Sequence, residues 1–346
     1  MSANPSVFGL LPDGSQVWRA KLTNDAGVSA EILTLGATIH SIKAPDRMGR
    51  ATDIILGKKD IEGYLDSAAC SAAVIGRVAN RIKGHRFPRH GKVIMLDANE
   101  RKNTLHGGSG NYARRNFALV EADATHAVLA LRDHGEGGFP GEVDIQVTYS
   151  LNDDSELMVE YLALPTEDTP INITNHAYFN LAGHGYGAID KHELYINADF
   201  YTPADREDIP TGEILRTKGT PFDFTQPRIL GDAMRELAES GDKHGGFDHN
   251  FVLKGAGWRI AAAAHEPRSG RYLEVFTDLP GMQLYTANCI EAGTPGKGKA
   301  TYGKHSGFCL ETQYFPDSVH QPHFPDCVVW AGEIFETATA FRFSVK

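Results

Sequence analysis

Residues 142–161 read EVDIQVTYSLNDDSELMVEY. In the first half, Val143, Ile145, Val147, Tyr149 and Leu151 alternate with Glu142, Asp144, Gln146 and Thr148. In the second, Leu157, Val159 and Tyr161 alternate with Glu156, Met158 and Glu160. Side chains on a strand alternate faces, so each half predicts a strand with one buried face. Asn152-Asp153-Asp154 supplies the turn between them. The alternation returns near the end of the chain. Leu273, Val275 and Thr277 are set against Glu274 and Phe276, and Phe341, Phe343 and Val345 against Arg342 and Ser344. Pro12-Asp13-Gly14 and Pro267-Arg268-Ser269-Gly270 are further turn signals.

Helical patterns are scarce. Residues 232–239 carry the best one, about two turns long, and residues 60–65 a weaker one. No βαβ rhythm and no repeat of about 20–50 residues appears, which excludes a parallel doubly wound sheet, a propeller and a solenoid. No linker divides the chain. The expectation is an all-β fold: one domain over residues 1–346, built as a large antiparallel β-sandwich with few short helices.

The chain is 346 residues long with a formal net charge of −10. No basic patch is present, so nucleic acid is an unexpected partner. No stretch of about 18 apolar residues occurs, and the N-terminus shows no basic region followed by an apolar run. A cytoplasmic protein without membrane contact is expected. The four cysteines, Cys70, Cys289, Cys309 and Cys327, lack metal-ligand spacing and read as small buried thiols in a reducing compartment. The sequence leaves monomer and homodimer equally open.

Several segments concentrate polar chemistry. Residues 171–181, INITNHAYFNL, place Asn172, Thr174, His176, Tyr178 and Asn180 on one face if they form a strand, with Ile171, Ile173, Ala177 and Phe179 behind. Hydroxyls, amides and a histidine in one row suit a neutral polyol, and the histidine can move a proton near neutral pH. Residues 76–82 hold Arg77, Asn80 and Arg81, which are either a donor fork for hydroxyls or surface arginines. His106 precedes Gly107 and Gly108, as a site loop or a turn. Asp248 follows Gly245-Gly246-Phe247, as a hydroxyl acceptor or a turn aspartate. Gln283 and Tyr285 share one strand face after Pro280-Gly281. Glu311 follows a small and apolar run, Gly307-Phe308-Cys309-Leu310. Burial there would raise its pKa toward neutrality, which suits a general base.

The fifteen histidines do not form a metal motif: His176, His184 and His192 are eight apart, and nothing like H-E-x-x-H occurs. Phosphate-loop and serine-elbow patterns are absent as well. Neither a metal nor a cofactor is expected.

Together these segments resemble the aldose 1-epimerase (galactose mutarotase) family. The resemblance rests on residues 76–82, 103–108, 133–141 (Gly138-Phe139-Pro140-Gly141 above all), 174–181, 247–253, 280–288 and 310–313, in the family's order along nearly the whole chain. Residues 133–138 are looser than the family's usual acidic loop. The resemblance implies a β-supersandwich with an open cleft on one sheet and an aldohexose as substrate. It implies Glu311 as general base, His176 as general acid and His106 as a second histidine on the ring-oxygen side. It further implies Asn80, Arg81, Asp248 and Gln283 as sugar-hydroxyl ligands, with no cofactor.

A pyranose opens when its anomeric hydroxyl loses a proton and its ring oxygen gains one. Reclosure after rotation inverts the anomer. The expectation is that burial lifts Glu311 and a nearby carboxylate lifts His176, bringing both near working pH. Three alternatives remain: a hexose-6-phosphate 1-epimerase, which needs a basic cluster; a non-catalytic carbohydrate-binding protein, which needs no buried Glu/His pair; and a glycosidase using Glu311 and Asp248.

Overall fold

The computed structural model describes residues 5–67 and 69–346. The predicted pair of strands forms Val143–Leu151 and Glu156–Pro165, antiparallel, with Leu151 opposite Leu157 and Val143 opposite Pro165. The Asn152 side chain closes the turn, its Oδ1 accepting from the Glu156 N–H at 3.0 Å. Val143, Val147, Tyr149, Leu157, Val159 and Tyr161 are all buried in the main core, as their alternation requires.

This hairpin lies in a nine-stranded antiparallel sheet. Its order is Ala118–Ala122, His126–Asp133, Val143–Leu151, Glu156–Pro165, Phe335–Val345, Arg271–Thr277, Arg259–His265, Glu193–Ile196 and Arg228–Ile229. The last long strand therefore inserts at the centre, between Glu156–Pro165 and Arg271–Thr277. A second, five-stranded sheet runs Leu215–Arg216, Ala198–Thr202, Asp248–Leu253, Gly281–Tyr285 and Cys309–Gln313. A third, also of five strands, covers Ser6–Leu10 to Ala51–Asp53 in chain order.

The sheets bury their apolar faces in one core. Phe251, Met282, Leu284 and Leu310 of the second sheet share it with Leu273, Val275 and Phe341 of the large sheet and with Ile32 and Ile42 of the third. Thr312 and Thr339 bridge two sheets through their hydroxyls at 2.5 Å. The Pro280-Gly281 corner carries the chain from Arg271–Thr277 in the large sheet to Gly281–Tyr285 in the second. The two helical expectations hold as Leu230–Glu239 and Ile61–Asp66. No helix among the described residues is long and apolar enough to cross a membrane.

Two expectations need correction. Residues 171–181 are not one long strand. Only Thr174–Asn175 pairs in a ladder, with Val74–Ile75, and Asn172 and Phe179 make single pairings with other segments. The segment threads between neighbours instead of lying in a sheet, so its polar row divides. Asn172 exchanges hydrogen bonds with the Tyr314 backbone, and Asn180 donates to the Gly187 and Ser306 carbonyls. Both are clamps, while His176 and Tyr178 face the cleft. The cysteines are free thiols, but only Cys309 and Cys327 are buried; Cys289 is exposed.

Candidate active site

The cleft is floored by the second five-stranded sheet. Alternation along Cys309–Gln313 sends Leu310 into the core and leaves Cys309, Glu311 and Gln313 on the other face. Along Gly281–Tyr285, Met282 and Leu284 go inward, leaving Gln283 and Tyr285 opposite. The register sets Asn250, Gln283 and Glu311 in one cross-strand row, with Asp248, Tyr285 and Cys309 in the next. Gln283 Nε2 donates to Asp248 Oδ1 at 2.7 Å, and Gln313 Nε2 donates to Gln283 Oε1 at 3.3 Å. The Gln283 amide is thereby fixed in orientation, its nitrogen toward Asp248.

One wall comes from residues 171–181. His176 is anchored by its backbone, which donates to the Ala73 carbonyl and accepts from the Ala72 N–H, each at 2.9 Å. Its ring stacks on Tyr178 at 4.9 Å between centroids and meets the Tyr285 ring edge-on at 6.0 Å. Nε2 lies 3.7 Å from Glu311 Oε1, and Nδ1 lies 3.3 Å from Cys309 Sγ.

The other wall pairs Arg81–Ile82 with Thr104–Leu105. Asn80 and His106 flank this pair in left-handed backbone, at φ of 62° and 55°. They hold each other there. The His106 N–H donates to the Asn80 carbonyl at 2.9 Å, and the Asn80 N–H donates to His106 Nδ1 at 3.1 Å. Gly107 allows the approach, since a Cβ at that position would collide with the Gly76 carbonyl. Arg81 is gripped by three carboxylates: Glu100 at 3.2 Å, Asp208 at 3.7 Å and Asp248 at 3.9 Å.

All seven residues singled out in the sequence, Asn80, Arg81, His106, His176, Asp248, Gln283 and Glu311, line this one cleft of about 550 Å³. Arg77 does not. It is 1% exposed, donates to Asp133 and to the Pro140 and Gly141 carbonyls, and locks residues 133–141 onto the wall behind the cleft. It is neither a surface arginine nor a ligand fork. Tyr285, Tyr178 and Cys309 were missed as site residues. Alternation carried the signal for all three, because Tyr178 shares a face with His176, Tyr285 with Gln283, and Cys309 with Glu311.

Burial dominates the electrostatics. Glu311 is 2% exposed, and desolvation together with the charge of Asp248 lifts its carboxyl well above the ordinary value, against the opposing pull of Arg81. Burial pushes His176 down to about 4. The expected lifting of His176 by a carboxylate is therefore corrected: desolvation is the largest influence on the imidazole, and only a backbone hydrogen bond opposes it. His106 is also held well below its usual value, by burial first, then by His176 and Arg81. Its Nδ1 accepts a backbone N–H, so the neutral ring carries its proton on Nε2. The site thus holds a carboxyl raised by burial, an imidazole lowered by burial against it, and a second imidazole whose Nδ1 accepts a backbone N–H.

The aldose 1-epimerase family profile matches residues 19–342. Galactose mutarotase from Bos taurus is 43% identical over 347 residues, covering 100% of this chain and 99% of its own. Aldose 1-epimerase from Escherichia coli K12 is 35% identical, covering 96% and 97%. The crystal structure of an aldose epimerase homologue from C. elegans superposes with a TM-score of 0.88 at 27% identity, over 95% of this chain and 99% of that one. The chain belongs to the aldose 1-epimerase family of isomerases.

Proposed function

We propose that this protein interconverts the α and β anomers of aldohexoses such as galactose and glucose, with Glu311 and His176 exchanging the two protons of ring opening. The observation that carries the reading is the buried Glu311–His176 pair, 3.7 Å apart and facing the cleft. The anomeric and ring oxygens are bonded to one carbon. An acid and a base serving them must therefore stand within a few ångströms of each other, as these do.

Proton counting supports the assignment. Burial favours the neutral pair, a carboxylic acid beside a neutral imidazole. That pair is set for ring closure: Glu311 gives a proton to the carbonyl oxygen while His176 takes one from the C5 hydroxyl. The ion pair of the same proton content is set for opening, with Glu311 taking the anomeric proton and His176 donating to the ring oxygen. One turnover passes through both forms without net exchange with solvent. Each positioned transfer contributes about 10²–10⁴-fold. His106 supplies a neutral Nε2–H donor to the ring-oxygen side. It does not act as the acid, because a second ring proton would displace the Asn80 N–H. Asn80, Arg81, Asp248 and Gln283 bind hydroxyls, and the stacked Tyr178 orients His176.

A phosphorylated hexose suits this cleft poorly. Asp66, Glu100, Asp248, Glu291 and Glu311 line it against Lys58 and Arg81, and Arg81 is already held by three carboxylates. Free thiols support a cytoplasmic setting. Polarimetry of freshly dissolved α-galactose and α-glucose tests the function: the protein should abolish the slow solvent-limited drift, and glucose 6-phosphate should react far more slowly. A rate equal to that of buffer alone would overturn the reading.

A further inference from the structure

Cys309 takes no part in the proton transfers, yet it stands against both groups that make them. It shares the cleft-facing side of its strand with Glu311, and its Sγ lies 3.3 Å from His176 Nδ1. One ligand atom from each of His176, Cys309 and Glu311 lies within 4.8 Å of the others, and all three residues are buried. Imidazole, thiolate and carboxylate are the donors that zinc-like ions accept. At bond lengths of about 2.0–2.3 Å, a tetrahedral centre needs ligands about 3.3–3.7 Å apart. Side-chain rotation on a strand held by its ladder covers the remaining distance. Three protein ligands then leave the fourth position open to the cleft.

We propose that His176, Cys309 and Glu311 form a binding site for a thiophilic divalent cation, Zn²⁺ or Cd²⁺, and that metal and sugar exclude each other. Binding releases the thiol proton, and the carboxyl proton where present, to solvent. The metal takes up the imidazole lone pair and the carboxylate, so it inhibits and is no cofactor. The other grouping of this kind, Asp208, His244 and Asp248, lacks a thiol and is already neutralised. Asp208 meets Lys243 at 2.6 Å, and Arg81 reaches both aspartates.

The test is titration of the full-length protein with CdCl₂, read by calorimetry and by the ultraviolet sulfur-to-cadmium charge-transfer band. The expected result is one equivalent bound with the band. Cys309→Ser should abolish the band and weaken binding by about 100-fold or more, at or beyond the upper end of what losing an outer-sphere partner costs. Cys289→Ser, in the exposed cleft thiol, should leave both unchanged, and saturating galactose should raise the apparent Kd. A band that survives in Cys309→Ser, one lost in Cys289→Ser, no saturable binding, or indifference to galactose would each overturn the proposal. Binding is read without turnover. A missing band therefore refutes this site and leaves the anomer reading standing, and missing mutarotation beside an intact band does the reverse.

Discussion

Glu311→Gln keeps the shape of a neutral carboxylic acid and removes its capacity to take a proton. For catalysis, the loss is the general-base contribution of about 10²–10⁴ in rate, or about 2.7–5.4 kcal/mol of barrier. Stability should move the other way. Burial and the charge of Asp248 raise the folded-state pKa of Glu311. Above the unfolded value of about 4.3, the folded chain therefore holds a proton that the unfolded chain has released. Stability from this group is full below about pH 4.3 and falls as pH rises toward the folded pKa, by about 1.36 kcal/mol per pH unit. With an unfolding entropy of about 2.1 cal/mol/K per residue, the 346 residues give about 0.73 kcal/mol/K, so each pH unit costs about 2 °C in Tm. Glutamine does not titrate and escapes this loss. The assay is paired: polarimetry of α-galactose, and calorimetric melting of both proteins across the pH range. The variant should be slower by about 10²–10⁴-fold. Its Tm advantage should widen by about 2 °C per pH unit from mildly acidic pH upward until the folded pKa is reached. A gap that closes with rising pH refutes the buried-acid argument, and a variant keeping half its kcat/KM refutes the base.

His176→Asn should cut turnover by about 10²–10⁴-fold while the fold survives. Because burial depresses His176 to about 4, the wild type loses stability as pH falls from about 6.5 to that value, by about 3 kcal/mol, and the variant should be spared that loss in acid melts. Asp248→Asn removes a charge that raises Glu311, so the basic limb of kcat/KM, where the pair loses its shared proton, should shift to lower pH while KM rises; a limb moving upward in a pH–rate profile would contradict this. Arg77→Ala leaves Asp133 buried without its partner and should cost about 3–5 kcal/mol in urea unfolding. An unchanged midpoint would show that the pair behind the cleft does not brace it.

The sheet architecture was legible because alternation is a local property: residues 142–165 carry it, and the register follows from the Asn152 turn. The cleft-facing positions of Gln283 and Glu311 were legible for the same reason, since both project from regular strands whose faces can be counted, while the other candidate positions came from the family resemblance. What the sequence hid depends on contacts between distant segments. Residues 171–181 alternate like a strand, but their partners are short pieces near residues 55, 75, 78 and 308, so Asn172 and Asn180 turn away to bond backbone. Arg77 carries the same charge as Arg81 four residues later. Only the Asp133 carboxylate, brought from the large sheet, makes it structural. The lowered pKa of His176 also lay outside the sequence, because it follows from the burial of the ring against Tyr178 and Tyr285.

The most direct measurement is a crystal structure with galactose bound. The expected structure has the sugar in the cleft, with a Glu311 carboxylate oxygen about 2.6–3.2 Å from the anomeric oxygen, His176 Nε2 at similar reach of the ring oxygen, and Asp248 and Gln283 on hydroxyls. A sugar seated so that Glu311 and His176 meet only non-reacting hydroxyls would contradict it.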